Sequence, residues 1–185
     1  MGSRTIFIVT GTSAAGKSRT VAPLRRLLGG AWEVWDIDDI VWNLPDHGHP
    51  EMPRLTGWKH GDDQSDFDRC KNVVLADAAA CPREVVLCGT LLPHEVFAET
   101  KTLFAGMRWL GLFAAPEVIR ARLAERNWDP ELVEVHATSH RWFAPLGEQV
   151  EGGMPLVDTS PLAPDEVAGR IVAWMRSHGA DVEGG

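Results

Sequence analysis

The sequence predicts an α/β protein: a five-stranded parallel sheet with helices on both faces. Two observations carry this. Short apolar runs alternate with segments whose apolar residues recur at helical spacing, the pattern of strand–helix–strand crossovers in a parallel sheet. A glycine-rich stretch, GTSAAGKS at residues 11–18, ends the first apolar run and opens the first helical segment. The length of 185 residues and hydrophobic fraction of 44% suit one domain with its own core, expected over residues 1–178, with a frayed tail over 179–185.

The first strand is residues 6–9, a continuous apolar run closed by Thr10 and Gly11, which marks a strand covered on both faces and hence central. Residues 16–28 follow as a helix. Val21, Leu24, Leu27 and Leu28 recur at helical spacing, Pro23 is tolerable only near the first turns, and Gly29 with Gly30 ends it. Residues 33–37 read as the second strand, finishing in the acidic cluster DIDD at 36–39. Residues 45–63, rich in Pro, Gly, His and Asp without periodicity, read as an irregular excursion. A helix over 65–80 leads into a third buried strand, EVVLCG at 84–89. Residues 93–105 read as helix, 107–113 as the fourth strand, 116–126 as a helix with proline at its first position, and 129–143 as another of that kind. After a loop, 155–158 is the fifth strand, and Pro164 opens a last helix whose Val167, Ile171, Trp174 and Met175 share one face.

Ligands of such sheets bind beyond the carboxyl ends of the strands, where GTSAAGKS lies. Gly11, Gly16, Lys17 and Ser18 complete the GxxxxGKS pattern of a P-loop (Walker A), in the strand–turn–helix context its mechanics require. Glycines let successive N–H groups turn inward, so the expected cradle runs from Gly11 through Thr12, Ser13, Ala14, Ala15 and Gly16 to Lys17, Ser18 and Arg19. The helix start adds partial positive charge, Lys17 neutralises phosphate oxygens, and Ser18 can ligate magnesium. The expected cofactors are ATP and Mg²⁺. The alternative is a glycine turn that merely joins strand to helix.

Asp36 and Asp38, one residue apart at a strand's carboxyl end, are expected on the same side of that strand, facing the cradle, with Asp39 pointing elsewhere. Phosphoryl transfer needs magnesium near the phosphates and an acceptor oxygen aligned by a carboxylate. Asp36 is therefore assigned to the magnesium shell and Asp38 to the acceptor hydroxyl. The alternative is an aspartate turn capping a short helix over 38–43. Arg122 and Arg126, four apart, are expected on one helix face, from which one can reach the triphosphate. The alternative there is a solvated face paired with Glu125. Arg120 and Arg141 are weaker candidates.

On these residues the sequence resembles the small P-loop kinases of the shikimate kinase, gluconate kinase and chloramphenicol phosphotransferase type. It also resembles actinobacterial proteins described as P-loop ATPases or nucleotide kinases. The resemblance rests on GTSAAGKS, the DID cluster, the arginine-bearing helix, and VDTSPLAPDEVAGRIVAWM at 157–175. It implies a P-loop NTPase fold with an acceptor-side region over 39–64 and a kinase-type lid over 126–146. It also places Asp38 where chloramphenicol phosphotransferase has its proposed base, and Asp158, Thr159 and Ser160 in an adenine-side loop. The expected catalytic set is Lys17, Asp36, Asp38, Arg122 and Arg126.

The activity so expected is transfer of the γ-phosphoryl group of ATP to a hydroxyl of a small molecule, such as a nucleoside, sugar or antibiotic-like alcohol. A nucleoside monophosphate kinase is one alternative, and a nucleotide-binding ATPase or switch module another. Residues 36–68 are rich in acids against Arg54 and Lys59 as their only permanent cations, and are expected to line the acceptor side. Holding a second phosphate normally takes several arginines, which disfavours a monophosphate. A guanine-reading NKxD is absent, and EVVLCGT ends in Cys88, Gly89 and Thr90 where a motor ATPase usually has an acidic pair.

The net charge of −8 excludes a general nucleic-acid binder, so any anion site must be local. No apolar run approaches the roughly 20 residues of a membrane helix, and no secretory pattern is visible, so a cytoplasmic monomer or homodimer is expected. Cys70, Cys81 and Cys88 lack CxxC spacing and read as reduced thiols. HATSH at 136–140 lacks the glutamate of a zinc hydrolase and reads as a lid face, DHGH at 46–49 as surface histidines, and the eight tryptophans as core.

Overall fold

The computed structural model describes residues 4–52, 55, 64–139, 143, 145–146, 148, 150 and 153–182. Parts of the expected acceptor region (53–54 and 56–63), of the expected lid (140–142 and 144, among them His140 and Arg141) and of the tail (183–185) lie outside the described residues.

Five strands form one parallel sheet: β1 (Thr5–Gly11), β2 (Trp32–Asp36), β3 (Glu84–Cys88), β4 (Gly106–Phe113) and β5 (Leu156–Asp158), in the order β2-β3-β1-β4-β5. The apolar β1 is central as expected, and its alternate side chains serve two cores. Ile6 and Ile8 face a cluster with Val74 and Leu75 of α3 (Gln64–Ala80) and Ile37 and Val41 of α2 (Ile37–Trp42). Phe7 and Val9 face the other side, against Leu24 and Leu28 of α1 (Lys17–Leu28) and Ile171 and Met175 of the last helix, α7 (Pro164–Ser177). Phe7 stacks edge-on against both Trp32 and Trp174, and Arg26 of α1 pairs with Asp165 of α7. The sheet is thereby covered on both faces, which a continuous apolar strand requires.

Three elements differ from expectation. Residues 93–105 are not one helix but a 3₁₀ turn, Pro93–Glu95, followed by the short α4 (Ala98–Lys101). The Phe97 N–H, which a helix would direct to the Pro93 carbonyl, donates instead to Asn72 Oδ1 at 2.9 Å, so a side chain takes a donor that a helix would have used. The helix after β4, α5, ends earlier, at Pro116–Ala124, and is followed by α6 (Pro130–Ala137), whose Asp129 caps the Glu131 N–H at 2.8 Å. Residues 179–182 are not frayed: Val182 is buried, and the Trp32 indole donates to the Asp181 carbonyl at 3.1 Å. Among the described residues, no helix is long and apolar enough to cross a membrane.

Of the two loop histidines, His49 is not simply a surface residue. Its ring lies 2.7 Å from Asp77 Oδ2 on α3 and 3.6 Å from Glu51, tying the segment after α2 to α3. The hydrogen bond to Asp77, helped by the charges of Asp77 and Glu51, raises the His49 pKa above its ordinary value. The charged form is favoured by folding, so this stabilisation is complete below the ordinary histidine pKa near 6.5 and is lost as pH rises through the raised one. The thermal midpoint of wild type minus that of His49→Gln is accordingly expected to be larger at about pH 6 than at about pH 9. Equal differences at the two pH values would remove the ionic role.

Candidate active site

All candidate site segments emerge at the carboxyl edge of the sheet, where β1 lies between β3 and β4. From β1 the chain enters the glycine-rich loop. Gly16 has φ +101°, a conformation glycine adopts without penalty, and it passes directly into α1. Ala14 also has positive φ, at 59°, unusual for a residue with a side chain. Two distant groups hold it there: Arg122 Nη1 donates to the Ala14 carbonyl at 2.9 Å, and Thr159 Oγ1 donates to the Ala15 carbonyl at 2.8 Å.

Lys17 is buried at the first position of α1, its ammonium donating to the Gly11 and Thr12 carbonyls at 2.9 and 3.0 Å. An ammonium has three donors, so one remains for a ligand. Burial lowers its pKa, while Asp38 and Asp36, both near enough to act on it, oppose that shift. Beneath the loop, burial pushes the Cys88 thiol up to about 12, so it stays a neutral wall and not a nucleophile.

Asp36 and Asp38 do not share one side of a strand, because β2 ends at Asp36. Asp36 is the N-cap of α2: its Oδ1 accepts from the Asp38 N–H at 3.2 Å and the Asp39 N–H at 3.5 Å. The capping arrangement thus exists, with Asp36 as the cap. Asp38, in the first turn, is aimed across the sheet edge. Its Oδ1 accepts from the Thr90 N–H at 2.9 Å, and its Oδ2 lies 3.4 Å from the Thr90 hydroxyl.

Gly89 makes that approach possible. A Cβ there would lie 1.9 Å from Ile37 Cγ2 and 3.2 Å from both the Asp38 backbone nitrogen and Oδ1. Gly89→Ala is expected to destabilise the protein by about 3 kcal/mol, the upper end of ordinary overpacking costs. A denaturant midpoint unchanged from wild type would show that α2 and β3 need not meet this closely.

Arg122 and Arg126 do not share a face, because α5 ends between them. Arg122 turns behind the loop, also reaching the Thr159 carbonyl at 3.2 Å, while Arg126 lines the main cavity. Burial lowers the Arg122 pKa, and Arg19 and Arg126 push it the same way. Glu125 and Asp158 oppose that shift. Arg120 is instead paired with Glu134 at 2.7 Å on the surface. Thr159 is buried and lines a small cleft with Gly16, Arg19, Thr20, Arg122 and Leu162. Ser160 Oγ accepts from the Ala115 N–H at 2.7 Å and donates to Asp158 Oδ1 at 2.6 Å, which fixes that loop.

The main cavity, of about 710 Å³, is lined by two chemically different sets of side chains, which make a loop half and an aromatic half. One is lined by Ser13, Ala14, Gly16, Lys17, Ser18 and Arg126, with Asp38 and Thr90 at its boundary. The other is lined by Trp42, Phe67, Lys71, Glu95, Trp128 and His136. The expected acidic acceptor wall is not seen: of the described acids in residues 36–68, only Asp38 lines the cavity, and Asp62 and Asp63 lie outside the described residues. Sequence reasoning missed Thr90, Lys71, Glu95 and the tryptophans Trp42 and Trp128. A serine hydroxyl, one carboxylate, phosphate oxygens and waters suit magnesium, which usually takes few protein ligands. Ser18 lines the cavity and fits that donor set; Asp36 is not among the lining residues and its Oδ1 caps α2, so only its Oδ2 lies outside the cap. Among the described residues no cluster of three or more acidic, His or Cys side chains offers a protein-only cage.

Comparison with known proteins places the architecture. No family model and no curated protein sequence matches the chain. Solved structures do. Shikimate kinase from Acinetobacter baumannii in complex with shikimate has 18% identity and a TM-score of 0.63, covering 96% of each chain. A gluconokinase from Sinorhizobium meliloti has 15% identity and a TM-score of 0.61, covering 96% of this chain and 95% of that one. The tunicamycin resistance protein of Deinococcus radiodurans has 20% identity and a TM-score of 0.59, covering 94% of this chain and 96% of that one. At such identities the likeness establishes the fold, the α/β fold of P-loop NTPases, as expected from the sequence.

Proposed function

We propose that the protein is an ATP-dependent phosphotransferase that moves the γ-phosphoryl group to the hydroxyl of a small molecule. The observation that carries this is one cavity holding Lys17 beside the glycine-rich loop and Asp38 fixed by Thr90 at the junction with a second, differently lined half. A module that only binds or hydrolyses nucleotide has no need of that second half. The solved relatives of this fold include a shikimate kinase and a gluconokinase, which supports the same reading.

In this reading the inward N–H groups of residues 13–18 and the Lys17 ammonium hold the β- and γ-phosphates, and Arg126 meets charge that develops on the transferring group. Asp38 accepts the proton of the acceptor hydroxyl. The acceptor oxygen forms a bond to the γ-phosphorus, the bond from that phosphorus to the β,γ-bridging oxygen breaks, and ADP leaves with the electron pair. Ser18 and Asp36 would hold Mg²⁺, which when bound supplies charge neutralisation at the phosphates. Arg122 acts through the loop, holding Ala14, while Thr159 and Ser160 shape the adenine side.

A nucleoside monophosphate kinase is the less favoured reading, because the described cation of the second half, Lys71, is already paired with Glu95. The test is ADP release from magnesium ATP with a panel of nucleosides, amino-sugar alcohols and nucleoside monophosphates. Alcohol-dependent ADP release is expected. Efficient phosphorylation of a monophosphate would sink the choice of acceptor.

A further inference from the structure

The half of the cavity beyond Asp38 has a wall of distinct chemistry. Two aromatic pairs line it, from separate parts of the chain. Trp42 of α2 meets Phe67 of α3 at 5.7 Å and 63°, and Trp128 meets His136 of α6 at 5.2 Å and 76°. Edge-on pairs leave ring faces presented at an angle to one another, which suits a flat guest better than a hydrated polyol.

The charged groups of this half are mutually satisfied. Lys71 is only 2% exposed, its Nζ lies 2.7 Å from Glu95 Oε1, and it sits 4.5 Å over the Phe67 ring. Glu95 in turn accepts from the Leu92 N–H at 2.6 Å. The pair presents no net charge to the cavity. Among the described residues of this half, an acceptor carboxylate or phosphate would lose its water and meet no cation other than the paired Lys71, which is strongly unfavourable.

We propose that the acceptor is an uncharged alcohol carrying a flat apolar ring, held against Trp42, Phe67 and Trp128 with its hydroxyl towards Asp38. The Lys71–Glu95 pair acts as the filter against anionic acceptors. This rests on the phosphotransferase reading for the hydroxyl's fate, while the choice of guest rests on the wall alone.

The experiment therefore reads binding and transfer separately. Intrinsic tryptophan fluorescence is titrated with 2-phenyl-1,3-propanediol, thymidine, D-gluconate and shikimate, and ADP release is measured with the same four in magnesium ATP. The two neutral ring-bearing alcohols are expected to exceed the two acids by at least about 100-fold in kcat/KM, the scale of burying an unpaired carboxylate. Binding of the neutral pair without transfer would uphold the guest class and remove the phosphotransferase reading. Preferred transfer to gluconate or shikimate would overturn the guest class and leave that reading intact. Failure of the neutral pair both to bind and to react would also overturn it.

Glu95→Gln keeps an acceptor for the Leu92 N–H but removes the nearer carboxylate of Lys71, leaving it only the more distant Asp68 at 4.0 Å. It is expected to raise the acid-to-neutral kcat/KM ratio by about tenfold or more, the effect of giving a carboxylate a cationic partner. A folded variant with an unmoved ratio would overturn the filter. Trp128 is 37% exposed, so Trp128→Leu carries little folding cost and serves if Glu95→Gln does not fold. It is expected to raise KM for the ring-bearing alcohols about 5- to 10-fold, the worth of one aromatic contact. An unchanged KM there would overturn the ring wall.

Discussion

Asp38→Asn is expected to slow phosphoryl transfer by about 10²- to 10⁴-fold, the ordinary worth of a positioned general base. ATP affinity should change by less than about threefold, under 1 kcal/mol. The reason for this split is geometric. Asparagine retains a side-chain oxygen to accept from the Thr90 N–H, which holds Asp38 Oδ1 at 2.9 Å, so the turn at α2 need not move. It loses the negative charge and the capacity to take a proton. Rapid-quench measurement of one turnover, beside equilibrium titration with ATP, separates the two effects. A turnover rate equal to wild type would show that Asp38 neither accepts the proton nor aligns the hydroxyl.

Lys17→Met is expected to act on both quantities. Its ammonium lies between the carbonyls of Gly11 and Thr12 and close enough to Asp38 and Asp36 to feel their charge. Methionine fills similar space without the charge, so the loop loses its only buried cation among the described residues. ATP affinity should fall about tenfold or more, and the transfer rate by a further 10²- to 10³-fold or so, the scale of deleting one preorganised donor to developing charge. Calorimetric titration and single-turnover rates measure these directly. Retained rate with weakened affinity would assign Lys17 to ground-state holding alone.

Much of the molecule is legible in its sequence because the relevant signals are local. The loop pattern at residues 11–18 lies within one strand–turn–helix unit, and apolar runs such as residues 6–9 mark a strand covered on both faces. The aromatic half of the cavity is not legible, for a physical reason. Lys71 and Glu95 are 24 positions apart in sequence (95 − 71) and meet only because α3 packs beside the 3₁₀ turn after β3. Thr90 becomes a partner of Asp38 only because Gly89 lets two chain segments nearly touch. Residues 93–105 carry helical spacing, yet Asn72 captures the Phe97 N–H that would have continued the helix. The arginines teach the same lesson: a spacing of four implies one face only while the helix lasts, and α5 stops at Ala124. Trp42 and Trp128 look like core by type, and position alone makes them cavity wall.

The clasp on the glycine-rich loop bears on how the protein matures. The Thr159 hydroxyl that holds Ala15 stands 144 positions later in the chain, and the Arg122 guanidinium that holds Ala14 stands 108 later. Contacts of such span close late, because the intervening chain must first be ordered. During synthesis the glycine-rich loop leaves the ribosome well before Arg122 and Thr159, and is among the last segments to take its final shape. Under the proposed function, nucleotide affinity would then be a certificate of completed folding: a chain halted before β5 keeps all of GTSAAGKS and lacks the far half of the clasp that shapes it.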